Sequence, residues 1–108
     1  MPQIKKTQTL KFTGTDSEKI YLDSKTAAAL IIPDDSAFTG KTLLFKAGID
    51  PNILFTLKDM IGVNISVTLS AASVIALDLP YFAGITYLQL IASGSLTDKS
   101  ITVIFREL

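Results

Sequence analysis

Few side chains in this sequence are of a kind that does chemistry, and their spacing narrows the choice further. Gly40-Lys41-Thr42 matches the tail of a phosphate-binding loop, in which backbone N–H groups cradle phosphates and the lysine reaches them. The full pattern needs a glycine five residues before Gly40, where Asp35 stands, and a helix after it, where Leu43-Leu44-Phe45 reads as strand. A turn leading into a strand is the better reading. Asp34-Asp35 is the one adjacent carboxylate pair. Glycoside hydrolysis needs two carboxylates facing each other across a sugar, and a calcium loop needs further oxygen ligands at alternating positions. After Pro33, the pair reads instead as a turn in which Asp and Ser side chains cap backbone N–H groups. Asn64-Ile65-Ser66 fits the glycosylation pattern but falls within an expected strand, where it is a chance match.

The absent residue types remove most of the remaining chemistry. The 108 residues contain no His, Cys or Trp. Without Cys there is no disulfide, thiolate nucleophile or thiolate metal site, and without His the usual neutral-pH base and the commonest transition-metal ligand are gone. No Gly-x-Ser-x-Gly elbow is present, and nothing places Lys25, Lys41 or Lys99 beside a nucleophile. The expectation is a protein that is not an enzyme and holds no cofactor or metal. Ten basic and ten acidic residues cancel, which argues against a nucleic-acid partner, because such binding draws on unpaired cations. The 19% charged share is low against the roughly 25% of soluble domains. Part of the surface is therefore expected to be covered by a partner. Tyr21 and Tyr81 are the best exposed aromatic candidates for a contact, and Arg106, the one arginine, could hold a carboxylate in a bidentate grip. A plain ion pair of Arg106 with Glu107 or a loop aspartate is the duller alternative.

The elements that position these groups follow from period-two patterning. Val63, Ile65, Val67 and Leu69 alternate with Asn64, Ser66 and Thr68, and Ile101, Val103 and Phe105 alternate with Thr102 and Arg106. Turn signals at Gly14-Thr15-Asp16, Pro33 to Ser36, Gly48 to Asn52, Gly62 and Ser93-Gly94-Ser95 recur at strand spacing. They predict strands near 8–13, 18–23, 27–32, 41–47, 53–58, 63–69, 73–77, 85–92 and 100–107. Only the stretch 78–84 looks helical: Asp78 can cap, Pro80 suits a first turn, and Gly84 can take the left-handed exit. Eight or nine short strands with one short helical turn near 78–84 leave no room for crossover helices. The predicted fold is all-β, an antiparallel two-sheet β-sandwich of jelly-roll type. Residues 7–108 form one domain, with Met1 to Lys6 as a polar N-terminal arm. Ile75, Leu77, Ile91 and Ile104 fall on faces that their strands would turn to water, so a second sheet or a partner must cover them. No apolar run approaches the ~20 residues of a membrane span, and no signal peptide is recognisable. The chain is expected to be soluble, made in the cytoplasm and without a membrane partner.

The segment from Ile75 to Leu90, IALDLPYFAGITYLQL, followed by Lys99 to Leu108, KSITVIFREL, resembles the C-terminal half of a family of small β-sandwich virion proteins of tailed bacteriophages. Leu30-Ile31-Ile32-Pro33 and Leu44-Phe45-Lys46-Ala47 are similar to upstream strands of that family. The chain departs from the family pattern in Gly48 to Met60 and in splitting Asp-Pro as Asp78-Leu79-Pro80. The resemblance implies a structural role in the virion, as a capsid decoration or auxiliary protein. It would bind the major capsid protein or another virion protein, with self-association as a further option, and would reside on the capsid surface after synthesis in the host cytoplasm. Its matched residues are structural: Asp78, Pro80 and Gly84 as the capped turn, with none catalytic. A glycan- or host-surface-binding module on a tail or head fibre and a head–tail connector or tail subunit are the alternatives.

Overall fold

The structure, a computed structural model, describes residues 6–22, 25–77, 82 and 85–107. The named elements are nine strands and one 3-10 turn: β1 (Lys6–Thr13), β2 (Asp16–Tyr21), β3 (Lys25–Ile32), the 3-10 turn Ser36–Phe38, β4 (Thr42–Asp50), β5 (Ile53–Thr56), β6 (Ser66–Thr68), β7 (Ser73–Ala76), β8 (Tyr87–Ala92) and β9 (Ser100–Glu107). All nine expected strands are present. The 3-10 turn was not expected as such, although its cap was: Asp35 accepts a hydrogen bond from the Ala37 N–H at 2.9 Å. The expected helical turn with Asp78, Pro80 and Gly84 lies outside the described residues, as does most of the proposed N-terminal arm. Lys6 opens β1 opposite Phe105.

All pairings are antiparallel. The strands follow one hydrogen-bonded path, β5-β4-β8-β2-β1-β9-β3-β7, with β6 also on β4. The ladders therefore join into a single sheet that curls into a half-barrel. β1 makes the join. Its residues Lys6 to Lys11 pair with β9, whereas Phe12 and Thr13 pair with β2 across the Gly14-Thr15 turn.

The curl has local causes. Register shifts interrupt β2 between Asp16 and Lys19, β3 between Ala27 and Ala29, and β4 between Ala47 and Asp50. Each extra residue bends its strand and sharpens the twist. In β2 the bulge sets Ser17 and Glu18 opposite Leu90, and the Ser17 hydroxyl supplies the bond the ladder loses. Its Oγ accepts from the Leu90 N–H at 2.9 Å and donates to the Glu18 carbonyl at 2.8 Å.

Alternate residues of the central strands turn inward, as period-two patterning requires. Leu10 and Phe12, Ile20 and Leu22, Leu43 and Phe45, Leu88 and Leu90, and Ile101 and Val103 are buried and form one cluster. Phe38, Leu69 and Phe82 close it from the connections, Phe82 edge-on to Phe45 with ring centroids 5.0 Å apart. Leu77 belongs to this cluster and Ile75 packs against it, so neither needs cover from outside. The reason is register: Ile75 stands opposite buried Leu30, on the inner face. Ile91 and Ile104 alternate with buried residues and stay on the outer face, half-buried.

Candidate interaction surface

The β4–β5 corner carries apolar side chains that the fold leaves open. β4 runs to Asp50, whose carboxylate accepts from the Asn52 N–H at 2.9 Å and so closes the turn into β5. β5 then returns along β4, with Phe55 opposite Ala47. The Leu57 N–H continues the ladder to the Phe45 carbonyl at 2.7 Å. There the chain leaves the edge. Lys58 and Asn64 pair as an isolated bridge, and the Ile65 N–H bonds the Leu57 carbonyl at 3.1 Å before β6 resumes pairing with β4. β5 and β6 are thus two halves of one edge strand, split by a finger of residues 58–64.

Asp59 builds the finger. Its Oδ1 accepts from the Ile61 N–H at 3.0 Å and the Val63 N–H at 2.9 Å, while its backbone N–H donates to the Val63 carbonyl at 2.8 Å. Gly62 takes the left-handed conformation, φ +86°, that the tip needs. These bonds hold Met60 and Ile61, 101% and 84% exposed, out in water. The expected strand 63–69 is accordingly shortened to 66–68, and Val63 is exposed rather than turned inward. Its alternation is real, but the Asp59 turn captures the first residue of the pattern.

Phe55 extends the inward-facing row of Ala47 and Phe45 past the end of the core, and it is 71% exposed. With Gly48, Ile49, Asp50 and Ile53 it lines an open apolar depression of about 520 Å³. Six of the nine exposed large hydrophobic residues among the described residues fall between Ile49 and Val63. This concentration of exposed apolar side chains at the corner and on the finger is the candidate interaction surface. Sequence reasoning missed it, although one signal was present: Asp59 and Gly62, both turn formers, enclose Met60 and Ile61, two apolar residues with no strand to bury them.

Of the residues singled out in the sequence, Tyr21 and Arg106 lie elsewhere. Tyr21 is 58% exposed on the outer face of β2, its ring centroid 5.3 Å from that of Tyr87. Tyr81 lies outside the described residues. Arg106 is exposed on β9 opposite Thr26; ion pairs among the described residues are instead Lys11 with Asp98 at 3.4 Å and Lys99 with Asp35 at 2.7 Å. The Lys99 ammonium, and then the Ala37 N–H, hold the Asp35 carboxyl below its ordinary range. Gly40 has φ +83° and leads into β4 at Thr42, so the lysine-containing tripeptide is a turn before a strand. Among the described residues no group of three or more acidic side chains is placed to hold a metal ion, and no helix is long and apolar enough to cross a membrane. Comparisons with protein-family models, with curated proteins and with solved structures return no match.

Proposed function

We propose that this chain is a non-enzymatic structural protein of a phage virion, a capsid decoration or auxiliary protein that docks on the major capsid protein or another virion protein. The observation that carries the docking is the concentration of exposed apolar side chains between Ile49 and Val63, those on the finger held in place by Asp59. A rigid tip loses less conformational freedom on binding, which favours affinity. The virion assignment rests on the resemblance of residues 75–90 and 99–108 to phage β-sandwich proteins. On this reading the two ladders that β1 joins serve as the two layers of the family's jelly-roll-like sandwich. A repeating shell sums many modest contacts, which suits a small, charge-poor module.

Cosedimentation with undecorated capsids tests the proposal. The wild-type chain is expected to pellet with shells at micromolar concentration, and the double variant Met60→Asp, Ile61→Asp to lose at least tenfold in affinity while melting as the wild type does. Central apolar anchors typically carry such losses. A wild-type chain that stays in the supernatant, or a double variant that binds equally well, sinks the proposal.

A further inference from the structure

The opposite face of the same corner differs in chemistry. Lys19 of β2, Gln89 of β8 and Lys46 of β4 stand in one row across three paired strands, Lys19 opposite Gln89 and Gln89 opposite Lys46. All three lie on the outer face, since they alternate with buried Ile20, Leu88, Leu90 and Phe45. The Pro51-Asn52 turn and Leu54 complete a depression of about 170 Å³ with these side chains. Pockets for drug-sized ligands run to ~300–1,000 Å³, so this one takes a single small group.

Its charge is unbalanced. The two ion pairs among the described residues are made by other lysines, and no described carboxylate lies within ion-pair reach of Lys19 or Lys46. The Lys19 ammonium donates to the Pro51 carbonyl, which draws it over the depression and leaves further N–H donors free. Paired strands are ~4.8 Å apart, so the two lysine backbones stand ~10 Å apart. Side chains of lysine length close on an anion seated between them. Gln89 is held in place, its Nε2 donating to the Ser17 carbonyl at 2.8 Å, which leaves its oxygen to accept a hydroxyl. One pleat along, Tyr21 and Tyr87 present an aromatic pair on the same face. Gly48, opposite Tyr87, adds no side chain beside it.

We propose that this outer face binds a carboxylate-bearing sugar, its carboxylate between Lys19 and Lys46 and its ring toward Tyr21 and Tyr87. Lysine ammoniums supply the charge, Gln89 and Asn52 hydrogen-bond ring hydroxyls, and the tyrosines offer an apolar face to the ring C–H groups. This site is independent of the apolar surface proposed to dock on a shell.

The test is a titration of the ¹⁵N-labelled protein followed by amide shifts, with D-glucuronate, D-glucose and glutarate as probes. Glucuronate is expected to shift Lys19, Lys46, Asn52 and Gln89 in the millimolar range, at least tenfold more tightly than either other probe, and more weakly as salt is raised. Lys46→Gln and Lys19→Gln, both surface changes, are expected to weaken glucuronate at least fivefold. Met60→Asp is expected to leave the titration unchanged. Absence of shifts with glucuronate overturns the site. Equal binding of glucose overturns the role of charge, equal binding of glutarate overturns the sugar, and unaltered binding by both lysine variants overturns the placement.

Discussion

Replacing Ser17 by alanine probes how the bulge in β2 is held. Ser17 is 4% exposed, and its Oγ accepts from the Leu90 N–H at 2.9 Å. Leu90 is fully buried in the core cluster, so no solvent reaches that N–H once the hydroxyl is gone. A buried donor left without a partner costs ≈ 1–3 kcal/mol, and the lost bond to the Glu18 carbonyl adds a few tenths at a partly exposed site. We expect a loss of about 2 kcal/mol, which for a domain of this size lowers Tm by roughly 8–10 °C. Thr39→Ala is the matched control: its Oγ1 accepts from the Ala71 N–H at 3.2 Å at an exposed position where water can replace it, so it should cost about 0.5 kcal/mol or less. Urea denaturation with circular dichroism gives both values, and amide exchange at Leu90 reports the local site. If Ser17→Ala costs no more than Thr39→Ala, or if Leu90 exchange is unaltered, the hydroxyl is not replacing the missing ladder bond.

Three further expectations follow from other parts of the fold. Gly48→Ala places a Cβ 2.6 Å from the Ile53 carbonyl oxygen, a backbone atom that cannot turn aside, and should cost about 1–3 kcal/mol in a urea melt. Asp59→Ala removes the acceptor for two exposed N–H groups, so global stability should fall by under ~1.5 kcal/mol, while exchange at Ile61 and Val63 accelerates. The folded-state pKa of Asp35 is depressed below 3.8, so its contribution to stability is complete above that value and fades as pH falls through the lower folded pKa. Lys99→Met should therefore reduce stability at neutral pH and flatten the acid limb of a pH-dependent urea series, a difference that vanishes once Asp35 is protonated in both proteins.

Strand positions were legible because each strand carries its own evidence: alternation fixes which side chains turn inward, and Gly or Asp marks where the chain turns. Leu43, Phe45, Ile101 and Val103 sit in the core as their spacing requires. How the strands join was not legible, because β1 pairing with both β2 and β9 depends on residues far away in the chain. The same blindness affected Ile75 and Leu77, whose inward placement follows from pairing with β3 and contact with the core. Phe55 failed in the opposite direction. It sits at an inward position in a predicted strand, but the strand is at the edge and no described residue covers it. Lys19, Gln89 and Lys46 carry no local motif at all; only the register of three strands brings them into one row.

The ladder between β1 and β9 also sets an order of events. Thr9 and Thr102, 93 positions apart, meet through their hydroxyls at 3.0 Å in the middle of it. Closing so long a span is slow, and β1 has its β9 partner only after the 93 positions that separate Thr9 from Thr102 have been synthesised. The finger of residues 58–64 closes on contacts a few residues apart and needs no such wait. The sticky tip can therefore form while the frame behind it is still open. A finger that forms first exposes Met60 and Ile61 before the frame is closed, so slower β1–β9 closure lengthens the time over which these apolar side chains can associate.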